Sequence, residues 1–174
     1  MPRNQANFRI GTLAATNGLA VSPLSSIQIA RAQTIASAVL SLQTSGEGFF
    51  DITREVARFL EVAKARDGIL LLFLRHTSAS LVIQENADPD VRTDLVTALN
   101  RIAPADAGWV HQTEGADDMP AHIKSMLNGV CLHVPVGGGR LGLGTWQGIY
   151  LAEHRRAPHG REVVLQFLGT CGQA

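Results

Sequence analysis

The sequence has little charge and no excess of either sign. Its 174 residues carry fifteen Lys and Arg against fifteen Asp and Glu, 17% in all, for a net charge of zero. That balance, with no Lys/Arg cluster, excludes the electrostatic footprint of a nucleic-acid binder. Aromatic residues are scarce at 5%, so Trp109, in a polar stretch, and Trp146, among glycines, stand out. The two cysteines, Cys131 and Cys171, either pair or stay reduced. They are too few for a disulfide framework, and a reducing, cytoplasmic setting is the expectation. No apolar run approaches the roughly 18 residues of a membrane helix, so no membrane partner is expected. What remains is 45% apolar content in a chain of a size that makes one domain with one core.

Acidic residues are missing from residues 1–32, which hold Arg3, Arg9 and Arg31 among Ala, Ser, Thr, Asn and Gly. A transit peptide has that composition. A flexible extension, or an upstream start codon, is the simpler reading. The domain itself is expected over residues 33–174.

From Gln33 onward the patterns are clear. Thr34 to Leu42 reads as a strand, with Ile35 and Val39 among β-branched neighbours. After the Gly46-Glu47-Gly48 turn, Asp51 stands where a helix N-cap is expected. Ile52, Val56, Phe59, Leu60 and Ala63 then fall at helical spacing. Asp67-Gly68 is read as the end of that helix, and Ile69 to Leu74 as a central strand. Ser80 to Gln84 is expected to be its hairpin partner.

Asp88-Pro89-Asp90 is a strong helix start, and Val91, Leu95, Leu99 and Ile102 form the expected buried stripe. Asp118-Met119-Pro120 repeats the start signal for a short helix over His122 to Leu127, with a stripe of Ile123, Met126 and Leu127. Three further strands are expected at Val130 to Val136, Thr145 to His154 and Glu162 to Leu168. Helices inserted between strands give an α+β fold: one compact domain with a few helices and a mixed or largely antiparallel sheet or sandwich.

Three histidines sit at element boundaries beside polar partners: His76, His111 and His122. Imidazoles from separate segments suit one divalent ion with an open position, as in catalytic zinc. Isolated capping or surface histidines have the same local appearance, and the spacing does not show convergence. Asp88 and Asp118 have structural roles as helix caps. Glu85 and Glu114 have none, and are candidates to orient an imidazole, bind magnesium or act as a general base. Trp146-Gln147 lies between Gly144 and Gly148 and offers a flat ring and a two-way amide to a heteroaromatic ligand. A packed Trp at a sheet corner fits equally well. Lys124 and Arg140 are candidates for a phosphate, or are solvated surface cations.

The segments His76-Thr77-Ser78-Ala79-Ser80, Gln84-Glu85-Asn86-Ala87-Asp88-Pro89, Glu114 to Lys124, and Gly144-Thr145-Trp146-Gln147-Gly148-Ile149-Tyr150 together strongly resemble the YjbQ-like family. Its members are often labelled secondary thiamine-phosphate synthases. The resemblance runs from about Gln33 to Gly169. It departs from the family pattern in a longer Asp-Asp-Met-Pro loop and in Glu153-His154-Arg155, where others have Glu-Phe-Asp.

The resemblance implies a homotrimer acting on a small-molecule substrate. It also implies weak thiamine-phosphate synthase activity, joining a hydroxymethylpyrimidine diphosphate to a thiazole phosphate with release of pyrophosphate. Carried over by position, His76, His111 and His122 are the expected metal ligands, for zinc or magnesium. His76, Glu114 and Lys124 are the expected catalytic residues, and Ser78, Glu85, Asn86, Trp146 and Gln147 the expected substrate contacts. A three-histidine metal-dependent hydrolase and a non-enzymatic binding trimer are the competing expectations.

Overall fold

In a computed structural model, residue 27 and residues 29–172 are described. The expectation for residues 1–32 therefore lies almost wholly outside the described residues. From Ala32 onward the chain folds as one unit. Among the described residues, eight strands and three helices follow in the order β1 (Thr34–Gln43), β2 (Gly48–Asp51), α1 (Thr53–Val62), β3 (Ala65–Leu74), β4 (Ala79–Glu85), α2 (Pro89–Ile102), α3 (Asp118–Asn128), β5 (Cys131–Gly137), β6 (Arg140–Leu141), β7 (Gln147–Glu153) and β8 (Gly160–Cys171). Every strand pairing is antiparallel. One sheet has the order β1-β8-β3-β5-β6 and the other β2-β7-β4, giving the expected α+β fold.

The apolar run at the centre of the sequence is β3, flanked by β8 and β5. Its Leu70, Leu72 and Leu74 alternate into the core, as period 2 requires. Across from them stand Leu81 of β4, Ile149 and Leu151 of β7, and Val56 and Leu60 of α1. Each such side chain contributes roughly 1.5–3 kcal/mol by leaving water, and Leu60→Ala would cost about 2–5 kcal/mol.

Several expectations needed correction. β4 does not form a hairpin with β3: it pairs with β7, so the chain crosses between sheets at residues 75–78. Asp51 is not a helix cap but the last residue of β2, where its Oδ1 accepts from Thr53 N–H at 2.9 Å. Asp67-Gly68 is not a helix end. It lies within β3 at a bulge against β8, where a Cβ on Gly68 would collide with the Leu168 carbonyl. Asp88 does cap α2, accepting from Asp90 N–H at 2.9 Å, but no residue of α2 is fully buried and Ile102 is exposed.

The third helix is rotated relative to its sequence reading. It buries Asp118, Ala121, Lys124 and Ser125, and leaves Met126 and Leu127 in solvent. Two polar side chains set this rotation. Ser125 Oγ donates to the Ala79 carbonyl at 2.7 Å, and Lys124 Nζ donates to Glu47 Oε1 at 2.6 Å and Asn100 Oδ1 at 2.8 Å.

Candidate functional site

The first turn of α3 holds the site. Asp118 and His122 are four residues apart, so both side chains rise from one helix face. The preceding loop brings His111 to the same face, with ring centroids of His111 and His122 5.6 Å apart. Asp118 Oδ2 lies 2.7 Å from His111 Nε2 and 3.2 Å from His122 Nε2. The potential ligand atoms of the three residues all fall within 4.8 Å of one another. Two imidazole nitrogens and one carboxylate oxygen form a donor set suited to a borderline transition ion.

Asp118 is 1% exposed and far from an ordinary helix cap. Burial opposes its ionisation, but the hydrogen bond from His111 and the charges of Arg155 and His122 outweigh it, holding the carboxyl below its usual range. Its other oxygen, Oδ1, accepts from Arg155 NH1. His122 Nδ1 meets the Thr77 carbonyl at 3.0 Å, the kind of contact that fixes a ligating ring. Beside the cluster, Trp109, His111, Gln112 and Ala116 line a hollow of about 360 Å³.

His76 is not part of this cluster. Its Nε2 accepts the Glu162 N–H at 3.0 Å, which occupies that lone pair. Burial, and secondarily Arg161, lower its pKa, partly offset by Glu162 and Glu153. Asp118 stands where the sequence placed a third histidine. Lys124 is 2% exposed, with its ammonium committed to Glu47 and Asn100 rather than presented to a phosphate. Arg140, the other phosphate candidate, is exposed on β6. Glu114 keeps its carboxylate in solvent, 68% exposed, with Oε2 3.9 Å from Arg155 NH1.

The expected substrate contacts divide. Glu85, Trp146 and Gln147 line a groove of about 380 Å³ with Ile83 and Gln84. Asn86 braces its rim, donating from Nδ2 to the Gln147 carbonyl at 3.3 Å. Ser78 lies elsewhere, buried against Arg161 NH2 at 3.1 Å. β4 separates the two regions, with Thr77 and His122 near its start and Glu85 at its end. Seven residues of strand put them about 20 Å apart in one subunit.

A sequence model described as "UPF0047 protein YjbQ-like" matches residues 38–170. The chain belongs to the YjbQ-like family. Among its YjbQ-like relatives, a UPF0047 protein of Synechocystis is 46% identical over 132 residues, 75% of this chain and 90% of that one. The YjbQ protein of Salmonella typhimurium is 45% identical, covering 75% and 95%. A crystal structure of a YjbQ/UPF0047 protein from Clostridium acetobutylicum matches with a TM-score of 0.70 at 37% identity, over 75% of this chain and 98% of that one. A Thermus thermophilus protein matches at 0.65 and 40% identity, covering 73% and 97%. Among the described residues, no helix of this YjbQ-like chain is long and apolar enough to cross a membrane.

Sequence reasoning missed Asp118 and Arg155 as site residues. The available signal for Asp118 was its four-residue spacing from His122, which a helix-cap reading obscured. Arg155 had no local signal, because its partners at 114–118 are some forty residues away.

Proposed function

We propose that this chain is a divalent-metal-dependent enzyme whose cation is held by His111, Asp118 and His122, and that its activity is hydrolysis of a small molecule. One observation carries the reading: the potential ligand atoms of His111, Asp118 and His122 all lie within 4.8 Å of one another, with the His122 ring held at Nδ1 by the Thr77 carbonyl at 3.0 Å. A carbonyl only accepts, so Nδ1 carries the hydrogen. In the neutral ring Nε2 then keeps its lone pair, 3.2 Å from Asp118 Oδ2. A cation shared by that nitrogen, the His111 ring and the carboxylate suits the arrangement.

The donor set fits the cation. When bound, the ion would supply Lewis acidity toward a substrate oxygen or a water molecule. The chain's own residues do the rest: Thr77 orients His122, and Asp118 offers one oxygen to the centre. Glu114, solvent-exposed beside Arg155, would take the proton of a water as its oxygen attacks the substrate and return it to the leaving group as the scissile bond breaks.

Elemental analysis of protein purified without added metal tests this reading. About one zinc-class ion per chain supports it; neither bound metal nor uptake on titration sinks it. Hydrolysis of ester, amide and phosphate substrates, with and without the ion, then tests the activity.

The groove at Trp146 favours a second reading, the thiamine-phosphate synthase activity implied by the family resemblance. Trp146 is 66% exposed beside Gln147 and Glu85, a surface suited to stacking a pyrimidine. An ion serving the departing pyrophosphate would have to come from the cluster of a second copy, since the two regions lie about 20 Å apart in one chain. Single-turnover assays with both phosphorylated substrates decide it, since hydrolysis without condensation leaves the synthase reading unsupported.

Self-association, as the expected homotrimer, is supported by the outer face of the five-stranded sheet. There Ile35, Leu168 and Ile69 lie in one cross-strand row and Val39, Val164 and Phe73 in another. All but the half-buried Val164 are exposed, two apolar rows flanking the hydrogen-bonded Ser37 and Gln166, and exposed apolar surface of this kind marks an interface.

A further inference from the structure

We infer that Arg155 is the positioning residue of the His111–Asp118–His122 centre, its guanidinium holding Asp118 by Oδ1 so that only Oδ2 is offered to a cation. This rests on the metal reading above and adds a residue outside the donor set.

Each side of the guanidinium is engaged. Nε donates to Asp117 Oδ2 at 3.2 Å, NH1 to Asp118 Oδ1, and NH2 to the Glu114 carbonyl at 2.7 Å. One planar fork thus fixes the loop before α3 and the first turn of the helix. The fork is itself anchored. Arg155 N–H donates to Glu153 Oε1 at 3.0 Å, and Glu153 is clamped by Arg161 Nε and NH2 at 2.7 and 2.6 Å and by Thr44 Oγ1 at 2.9 Å. Arg156 N–H adds a second bond to Asp117 Oδ2 at 2.9 Å. The rigid end of β7 therefore sets where Asp118 points.

Two chemical consequences follow. A carboxylate with one oxygen committed to a guanidinium binds an ion through the other oxygen alone, which keeps the coordination number low. The same guanidinium offsets the carboxylate's charge, which weakens the attraction for hard ions bound mainly by oxygen and charge. Two imidazoles and one singly bound carboxylate oxygen favour zinc over magnesium.

The test compares wild type with R155Q and R155K, each confirmed folded by circular dichroism, in direct titrations with Zn²⁺, Mg²⁺ and Co²⁺. Gln removes the charge and the fork, while Lys keeps the charge but cannot reach three acceptors in one plane. The expected result is zinc bound in preference to magnesium by wild type, with affinity lower by about 10–100-fold in R155Q. The visible spectrum of the Co²⁺-loaded variants should weaken and shift as the carboxylate turns, with R155K altered as well. Should R155Q fail to fold, R155K decides by its affinity and Co²⁺ spectrum. A wild type that binds no ion overturns the metal reading and this one together. A wild type that binds, with folded variants matching its affinity and spectrum, overturns this one alone.

Discussion

His154 is 3% exposed, at the end of β7, with Nε2 2.8 Å from Ser80 Oγ. Burial first, and the nearby Lys124 ammonium second, push its pKa from 6.5 down to about 4. The unfolded chain therefore takes up a proton near pH 6.5 that the folded chain refuses until about pH 4. Stability contributed by the neutral ring is full above about 6.5 and is lost as pH falls toward 4. At about 1.4 kcal/mol per pH unit, the whole window is worth about 3 kcal/mol, of which about 2 kcal/mol is gone by pH 5.

Asp117, Asp118 and Glu153 have lowered pKa values, so their contribution is lost mainly below the ordinary carboxylate range, largely outside that window. Urea denaturation of wild type and His154→Gln at about pH 7 and about pH 5 isolates the effect. Gln can still accept from Ser80 but does not titrate. Wild type should lose about 2 kcal/mol more than the variant between the two conditions. Equal losses in both proteins would show that the buried imidazole is not the titrating group, and the reasoning would fail.

The remaining predictions concern the site, its supports and the outer sheet. His111→Ala, His122→Ala and Asp118→Asn should each abolish stoichiometric zinc uptake, while His76→Ala retains it; elemental analysis after dialysis gives the answer. Lys124→Ala should destabilise by about 3 kcal/mol with or without metal, because it leaves the Glu47 carboxylate without its cation, and paired urea curves measure it. Phe73→Asp, on the exposed face of β3, should shift the protein to a smaller species in light scattering after size exclusion, with helix content unchanged.

Local chemistry was legible in the sequence, and pairing between distant segments was not. The cap and proline that start α2 act within three residues, so Asp88-Pro89-Asp90 was readable. The partner of β4 was not, because a strand's apolar pattern says which face is buried but not which edge it meets. Asp118 and Asp88 share nearly the same local signature, yet only Asp88 caps. What separates them is His111 and Arg155, contributed by other segments. The rotation of α3 was hidden for the same reason: Met126 and Leu127 look like core residues, while Lys124 is buried only because Glu47 lies 77 residues away in sequence and close in space. The groove at Trp146 was half legible. Trp146, Gln147 and Glu85 do meet, but Ser78 belongs to the far end of the strand.

The carbonyl that holds His122 has a consequence for how the centre would fill. Thr77 lies just before β4 and grips the ring by Nδ1, so that ring is set before any ion arrives. A bound ion would then couple the start of β4 to the first turn of α3, and loading with zinc should slow amide exchange at both.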